Sequence, residues 1–365
     1  MTADRDRRFM ALALALGARG QGNTAPNPAV GCVVVRKGRI VGRGWTQPSG
    51  RPHAEVMALE QAQEAARGAD VYVTLEPCAH HGKTPPCAEA LIAAGVSRVV
   101  IAVGDPDPRV AGKGEAMLRT AGITVEAGIL EDEARAAHAG FLTRLSEGRP
   151  ALTLKLATSF DGRIATATGE SQWITGPEAR RAVHGLRARH DAVLVGAGTA
   201  RADDPMLTVR DLGMTKQPVR IVVSRRLDLP LTGKLAASAR DVPLWLCHGD
   251  DADADLLAAW SGLGARLLPV ALSGRQIDVS AMMQALGSAG LGTVFCEGGG
   301  ALAASLLGAG LVDRLVGYTA GIALGAEGQP AIGALGLDRL TEAKRFTLVR
   351  SRSIGPDIEH VWAAA

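Results

Sequence analysis

The chain has 365 residues, 47% of them hydrophobic and 21% charged, with a formal net charge of +3. That length asks for two domains, and the 3% of aromatic residues means cores built from Ala, Val, Leu and Ile. Scarce aromatics and the lack of a Lys/Arg block argue against a nucleic-acid platform, and five scattered cysteines argue against a disulfide framework. No apolar run reaches the roughly 18 residues of a membrane span, and the stretch 9–16 behind Arg5, Arg7 and Arg8 lacks a cleavage site. A cytoplasmic protein is expected.

Residues 4–18 have an Ala/Leu helix composition that stops at Gly20 and Gly22. Asn27-Pro28 breaks into a buried-strand run over 30–35, and the turn Lys37-Gly38-Arg39 returns as a strand over 40–45. Val56, Leu59 and Ala62 recur at helical spacing, which predicts a helix over 54–66 with His53 and Glu55 at its start. Strands at 70–75 and 99–103 flank a helix at 87–94, so Cys78 follows a strand end and Cys87 opens a helix. A glycine-broken loop over 110–114, a strand at 123–125 and a helix over 131–139 complete this half. Charge, Gly and Pro cluster at Ser146-Glu147-Gly148-Arg149-Pro150, which places domains at residues 1–147 and 148–365.

A second alternation begins at once. Strands are predicted over 152–156, 192–195, 219–224, 243–247 and 293–296, with helices over 177–189, opened by Pro177, and 254–263. Glu297-Gly298-Gly299-Gly300 leads into an Ala/Leu helix to residue 307, and late strands fall at 311–318 and 346–351. Such alternation predicts α/β sheets covered on both faces, with ligand sites gathered at strand ends.

Chemistry concentrates first at His53, Glu55, Cys78 and Cys87. One His and two Cys hold zinc by three bonds and leave a fourth corner for water. Zinc draws the pKa of that water from 15.7 toward about 7. Glu55, two residues from the His, is assigned as general base and then general acid. His-x-Glu, then Pro-Cys and a second Cys, is similar to the signature of the zinc deaminases. A structural zinc site would take a fourth protein ligand, for which His80 and His81 are the candidates. The signature usually has two residues between its cysteines; here eight intervene, and they include Lys83, a cation suited to a phosphorylated substrate. In the second half, Glu297-Gly298-Gly299-Gly300 frees backbone N–H groups at a helix start, which suits a dinucleotide phosphate. It is not G-x-G-x-x-G, so a Rossmann fold is disfavoured.

Pro77-Cys78-Ala79-His80-His81-Gly82-Lys83-Thr84-Pro85-Pro86-Cys87, with His53-Ala54-Glu55 and Asn27-Pro28-Ala29-Val30-Gly31-Cys32, resembles the deaminase half of the bifunctional riboflavin-biosynthesis deaminase/reductase family. Lys155-Leu156-Ala157-Thr158-Ser159-Phe160-Asp161-Gly162-Arg163, Ser171-Gln172-Trp173-Ile174-Thr175, Gly196-Ala197-Gly198-Thr199 and Asp203-Asp204-Pro205-Met206-Leu207-Thr208-Val209-Arg210 are similar to its reductase half. Where many members carry a His after the second strand, this chain has Trp45-Thr46-Gln47.

The resemblance implies an N-terminal cytidine-deaminase-like three-layer domain and a C-terminal dihydrofolate-reductase-like domain. It implies zinc-dependent deamination of a diaminopyrimidinone carrying a ribosylamino phosphate, then NADPH-dependent reduction of the ribosyl chain to ribityl. Asn27 and Lys83 would contact the deaminase substrate. Ala157, Trp173, Thr199, Asp203, Ser224, Gly299, Gly300, Ala301, Leu302, Ala303, Ala304 and Ser305 would line NADPH. Ser171, Arg187, Leu207, Arg210 and Glu297 would face the reductase substrate, with Arg187 and Arg210 as phosphate clamps. Lys155 or Asp203 would supply the proton that accompanies hydride. The partners expected are small phosphorylated pyrimidines and further copies of the chain, as a dimer or tetramer, with neither nucleic acid nor membrane. The competing readings are a nucleoside or tRNA-base deaminase with an unrelated second domain, and a ligand-binding regulator built on a decayed enzyme. Lys83, the motif-dense second half and the intact zinc set weigh against both.

Overall fold

A computed structural model describes residues 2–82 and 85–365. The chain divides into two compact units, Met1–Gly148 and Arg149–Ala365.

The first unit runs α1 (Thr2–Gly17), β1 (Gly31–Arg36), β2 (Arg39–Trp45), α2 (Ala54–Ala62), β3 (Asp70–Val73), α3 (Cys87–Ala93), β4 (Arg98–Ile101), α4 (Lys113–Thr120), β5 (Thr124–Ala127), α5 (Glu131–Ala137) and α6 (Ala139–Glu147). The sheet order is β2-β1-β3-β4-β5; β1 is antiparallel to both neighbours, and β3, β4 and β5 are parallel. Small residues set the helix distances. A β-carbon at Gly31 would lie 1.8 Å from the Ala13 carbonyl of α1. Those at Gly42 and Gly44 would lie 2.1 Å from the Ala58 and Ala54 carbonyls of α2. Gly42 and Gly44, two apart on β2, therefore share a face, and the helix start that carries His53 and Glu55 rests directly on the strand.

Three expectations are corrected. Residues 110–114 are not all loop, because α4 starts at Lys113, with Gly112 at φ +75° before it and Gly114 inside its first turn. The helix expected over 54–66 ends at Ala62, where Gln63 turns to φ +47° and a tighter turn, Gln63–Ala66, takes over. The helix expected over 131–139 breaks at His138, whose ψ of 9° divides α5 from α6.

The second unit runs β6 (Ala151–Thr158), β7 (Arg163–Ala165), α7 (Pro177–Ala188), β8 (Ala192–Gly196), α8 (Ala197–Asp203), β9 (Val219–Val223), α9 (Lys234–Ala237), β10 (Leu244–His248), α10 (Ala254–Gly262) and β11 (Arg266–Pro269). There follow a small hairpin, β12 (Leu272–Ser273) with β13 (Gln276–Ile277), then α11 (Val279–Ser288), β14 (Thr293–Cys296), α12 (Gly300–Gly308), β15 (Arg314–Thr319), β16 (Gln329–Pro330), β17 (Phe346–Ile354) and β18 (Asp357–Ala364). Nine strands form one sheet, ordered β11-β10-β9-β8-β14-β6-β15-β18-β17 and parallel except at β18 and β17. Alternate residues of the central strands fill two cores. Val193, Val195 and Phe295 pack with Ala179 and Val183 of α7 and Trp260 of α10. Leu194, Val294 and Cys296 pack on the other face with Met282 and Leu286 of α11 and Leu306 of α12. Strand β6 is buried over its first four residues and half open over its last four, so Lys155 to Thr158 emerge at the strand's carboxyl end.

Candidate functional sites

The metal-ligand side chains converge. His53 precedes α2 in extended conformation, and Cys87 is the first residue of α3. His53 Nδ1 lies 3.3 Å from Cys87 Sγ and 3.7 Å from Cys78 Sγ. Tetrahedral zinc, with bonds of about 2.3 Å to sulfur and about 2.0 Å to nitrogen, keeps such atoms about 3.5–3.8 Å apart, so the three donors fit the ion. Among the described residues this is the one group of three or more donors close enough to hold a metal. His81 pairs instead with Glu89 at 3.5 Å on the surface, so it does not close the fourth corner. His80 is absent from the donor group, although its Nδ1 is buried without a hydrogen-bond partner.

The two thiols act as a unit. A hydrogen bond from Cys87 pulls Cys78 down to about 4, and the same contact pushes Cys87 up. One thiolate thus forms readily, and a cation is needed for both. The Cys87 backbone N–H also donates to Cys78 Sγ at 3.3 Å. The hydrogen bond with Cys78 raises His53 from its ordinary value. Glu55 is 4% exposed, and burial, then the Cys78 charge, pushes its carboxyl up to about 7. A buried carboxyl near neutrality beside three metal donors is suited to both taking and giving a proton.

Supporting residues fix this arrangement. Glu76, two residues before Cys78 and 6% exposed, accepts four backbone N–H groups: Asp105 (3.3 Å), Gly112 (3.1 Å), Gly114 (3.1 Å) and Glu115 (3.3 Å). Its spacing before the Pro-Cys pair was the available sequence signal. Asn27 donates from Nδ2 to the Gly50 carbonyl at 3.2 Å, which ties it to the loop that enters His53. Lys83 lies outside the described residues.

In the second unit, Arg187 Nε and Nη2 grip Glu297 at 2.5 and 3.1 Å, and Arg187 Nη1 donates to the Thr208 carbonyl at 2.9 Å. Burial works to raise the Glu297 carboxyl, but the Arg187 charge and hydrogen bond outweigh it and hold it below its ordinary value. Lys155 faces this pair, and desolvation lowers its ammonium pKa. Asp203 ends α8, its carboxyl raised by desolvation. Leu207 is buried at φ +54°, and Arg210 is exposed.

The expected cofactor residues separate into groups. Thr199 and Gly299 adjoin, since a β-carbon on Gly299 would lie 3.6 Å from Thr199 Oγ1. Gly300, Ala301, Ala304 and Ser305 line a cavity of about 530 Å³ together with Gln329 and Pro330. Ala303 is fully buried on the inner side of α12, and Leu302 lies over Gly298. The first intrahelical bond of α12 is Ala303 N–H to Gly299 O at 3.1 Å, so the preceding amides lie ahead of it and suit an anion. Ala157 and Ser171 are half-buried. Trp173 is 66% exposed beneath the Arg180 guanidinium at 4.5 Å. Ser224 is buried and donates to Asp228 at 3.1 Å, which leaves its hydroxyl engaged within the protein.

Known proteins resemble both units. The family model "Cytidine and deoxycytidylate deaminase zinc-binding region" matches residues 3–103, and "RibD C-terminal domain" matches residues 150–359. The riboflavin biosynthesis protein RibD of Escherichia coli (strain K12) is 43% identical over 363 residues, covering 97% of this chain and 98% of the relative. The structure of Acinetobacter baumannii RibD, form 1, superposes with a TM-score of 0.87 at 39% identity, over 100% of this chain and 99% of that one. A Thermotoga maritima structure, named a diaminohydroxyphosphoribosylaminopyrimidine deaminase/5-amino-6-(5-phosphoribosylamino)uracil reductase, gives 0.87 at 32% identity over 100% of both. The chain therefore belongs to the RibD family of bifunctional riboflavin-biosynthesis enzymes, with a zinc-dependent deaminase domain of cytidine-deaminase type followed by an NADPH-dependent reductase domain of dihydrofolate-reductase type.

Proposed function

We propose that this chain hydrolytically deaminates the diaminopyrimidinone bearing a ribosylamino phosphate, then reduces the product, 5-amino-6-(5-phosphoribosylamino)uracil, with NADPH. The deaminase chemistry belongs to residues 1–147 and the reductase to 148–365. The observation that carries the reading is the convergence of His53, Cys78 and Cys87 around a buried Glu55. Zinc held by those three residues supplies an acidified water. Glu55 accepts a proton from the attacking water and delivers it to the departing ring amine. Asn27 orients the substrate at the loop that enters His53, and Lys83 meets its phosphate.

In the reductase, bound NADPH would supply the hydride that reduces C1 of the opened ribose. Thr199, Gly299, Gly300, Ala301, Ala304 and Ser305 would hold the cofactor, together with Ala157, Trp173, Asp203 and Ser224, and Leu302 and Ala303 would back them. Arg187 and Arg210 take the substrate phosphate, and Ser171, Leu207 and Glu297 shape its site. Lys155 is favoured over Asp203 as the proton donor, because it faces the Arg187–Glu297 pair and desolvation eases its proton loss. We further assign the protein to the cytoplasm, in keeping with five free cysteines, and to a homo-oligomer, dimer or tetramer. The exposed Leu348, Val349 and Ile358 of the β17–β18 hairpin support self-association. No described helix is long and apolar enough to cross a membrane.

The test is to feed the purified chain the diaminopyrimidinone phosphate and follow the products by mass. Without NADPH the deaminated ribosyl compound is expected to accumulate; with NADPH it is expected to pass on to the ribityl compound. A product that is reduced but still carries the amine would overturn the proposed order.

A further inference from the structure

The segment around residues 207–210 belongs to no helix or strand, so side chains must satisfy its backbone. Gln217 does so on one side, accepting the Val209 N–H at 2.7 Å and donating to the Val209 carbonyl at 3.2 Å. On the other side α7 supplies both partners: Arg187 donates to the Thr208 carbonyl at 2.9 Å, and His184 Nδ1 accepts the Arg210 N–H at 3.2 Å. His184 and Arg187 are three residues apart and so lie on one face of α7. Leu207 begins the segment in the left-handed region at φ +54°, a conformation a non-glycine residue keeps only when its surroundings enforce it.

Charge shows why this anchoring matters. Arg187 shares its charge with Glu297 and so cannot balance a phosphate alone. Arg210 has no carboxylate partner among the described residues, so its guanidinium remains available to a phosphate. An exposed arginine on an unanchored segment would spread over many positions. The accepting nitrogen must be unprotonated, and desolvation, Arg187 and Arg210 all lower the His184 pKa, against the opposing effects of Glu297 and the Thr208 carbonyl.

We infer that His184 is a positioning residue of the reductase: by accepting the Arg210 backbone N–H it holds Arg210 to the face of α7 that carries Arg187, where the substrate phosphate binds. The inference rests on the reading of Arg210 as a substrate contact.

The test is steady-state reduction of 5-amino-6-(5-phosphoribosylamino)uracil by the full chain carrying Arg210→Ala, His184→Ala, His184→Asn or both alanine substitutions. Arg210→Ala is expected to raise KM roughly ten-fold or more. His184→Ala is expected to raise KM roughly five-fold with kcat within about two-fold of the unaltered chain. His184→Asn can place an oxygen where Nδ1 stands, and is expected to restore KM. The double variant is expected to match Arg210→Ala alone, because His184 acts through Arg210. If His184→Ala does not fold, His184→Gln replaces it, since its polar atoms lie one bond too far out. KM increases that multiply in the double variant, or an Asn variant as impaired as Ala, would overturn the role of His184 while leaving Arg210 in place. An unchanged KM in Arg210→Ala would remove the phosphate reading itself, and the inference with it.

Discussion

At the scale of single residues, burial decides which groups titrate. His138 is 2% exposed, and its Nε2 meets Thr74 Oγ1 at 3.0 Å. Burial holds its pKa down to about 4, against 6.5 for an ordinary histidine. The unfolded chain therefore takes up this proton first, so the stability is fully present above about pH 6.5 and is lost as the pH falls toward 4. The loss expected is on the order of 3 kcal/mol. His138→Gln, which does not titrate and can still meet Thr74, is expected to flatten urea-unfolding stability over that window. Parallel curves for the two proteins would count against it. The same scale marks what the sequence made legible. Short spacing exposes His53, Glu55, Cys78 and Cys87, because one helix start and one strand-to-helix loop bring all four together. Glu76 and His184 act through backbone groups at 105–115 and at Arg210, distant in sequence and invisible until the chain folds.

At the scale of elements, the close seat of α2 on β2 is what aims His53 and Glu55. Gly44→Ala would drive a β-carbon into the Ala54 carbonyl at 2.1 Å, a rigid backbone atom with nowhere to yield. A cost of about 1–3 kcal/mol in denaturant unfolding is expected, together with a loss of bound zinc measured by metal analysis. Full zinc occupancy in a destabilised variant would show that the helix start moves independently of its strand. Periodicity revealed α2 and most strands because their apolar residues repeat. It did not reveal α4, where Gly112 and Gly114 read as loop although the first merely precedes the helix. Nor did it reveal α11, whose Asp278 accepts the Ser280 and Ala281 N–H groups at 2.8 and 3.0 Å as a helix cap. β11 and β18 also escaped: β11 is a short edge strand, and β18, between β15 and β17, alternates buried and open residues instead of running continuously apolar.

For the whole molecule, the claim is that one chain carries two chemistries in succession. Each compact unit has its own sheet and core, so residues 149–365 alone are expected to bind NADPH, detected by fluorescence, and to reduce the deaminated substrate. A folded segment that binds no NADPH would contradict this division. The most direct measurement follows both reactions in full-length Glu55→Gln with its zinc content determined. The account predicts about one zinc per chain, deamination lowered at least a hundred-fold, roughly the scale of a lost general acid–base, and unaltered NADPH oxidation with the deaminated substrate. Full deamination by the zinc-loaded variant would contradict it.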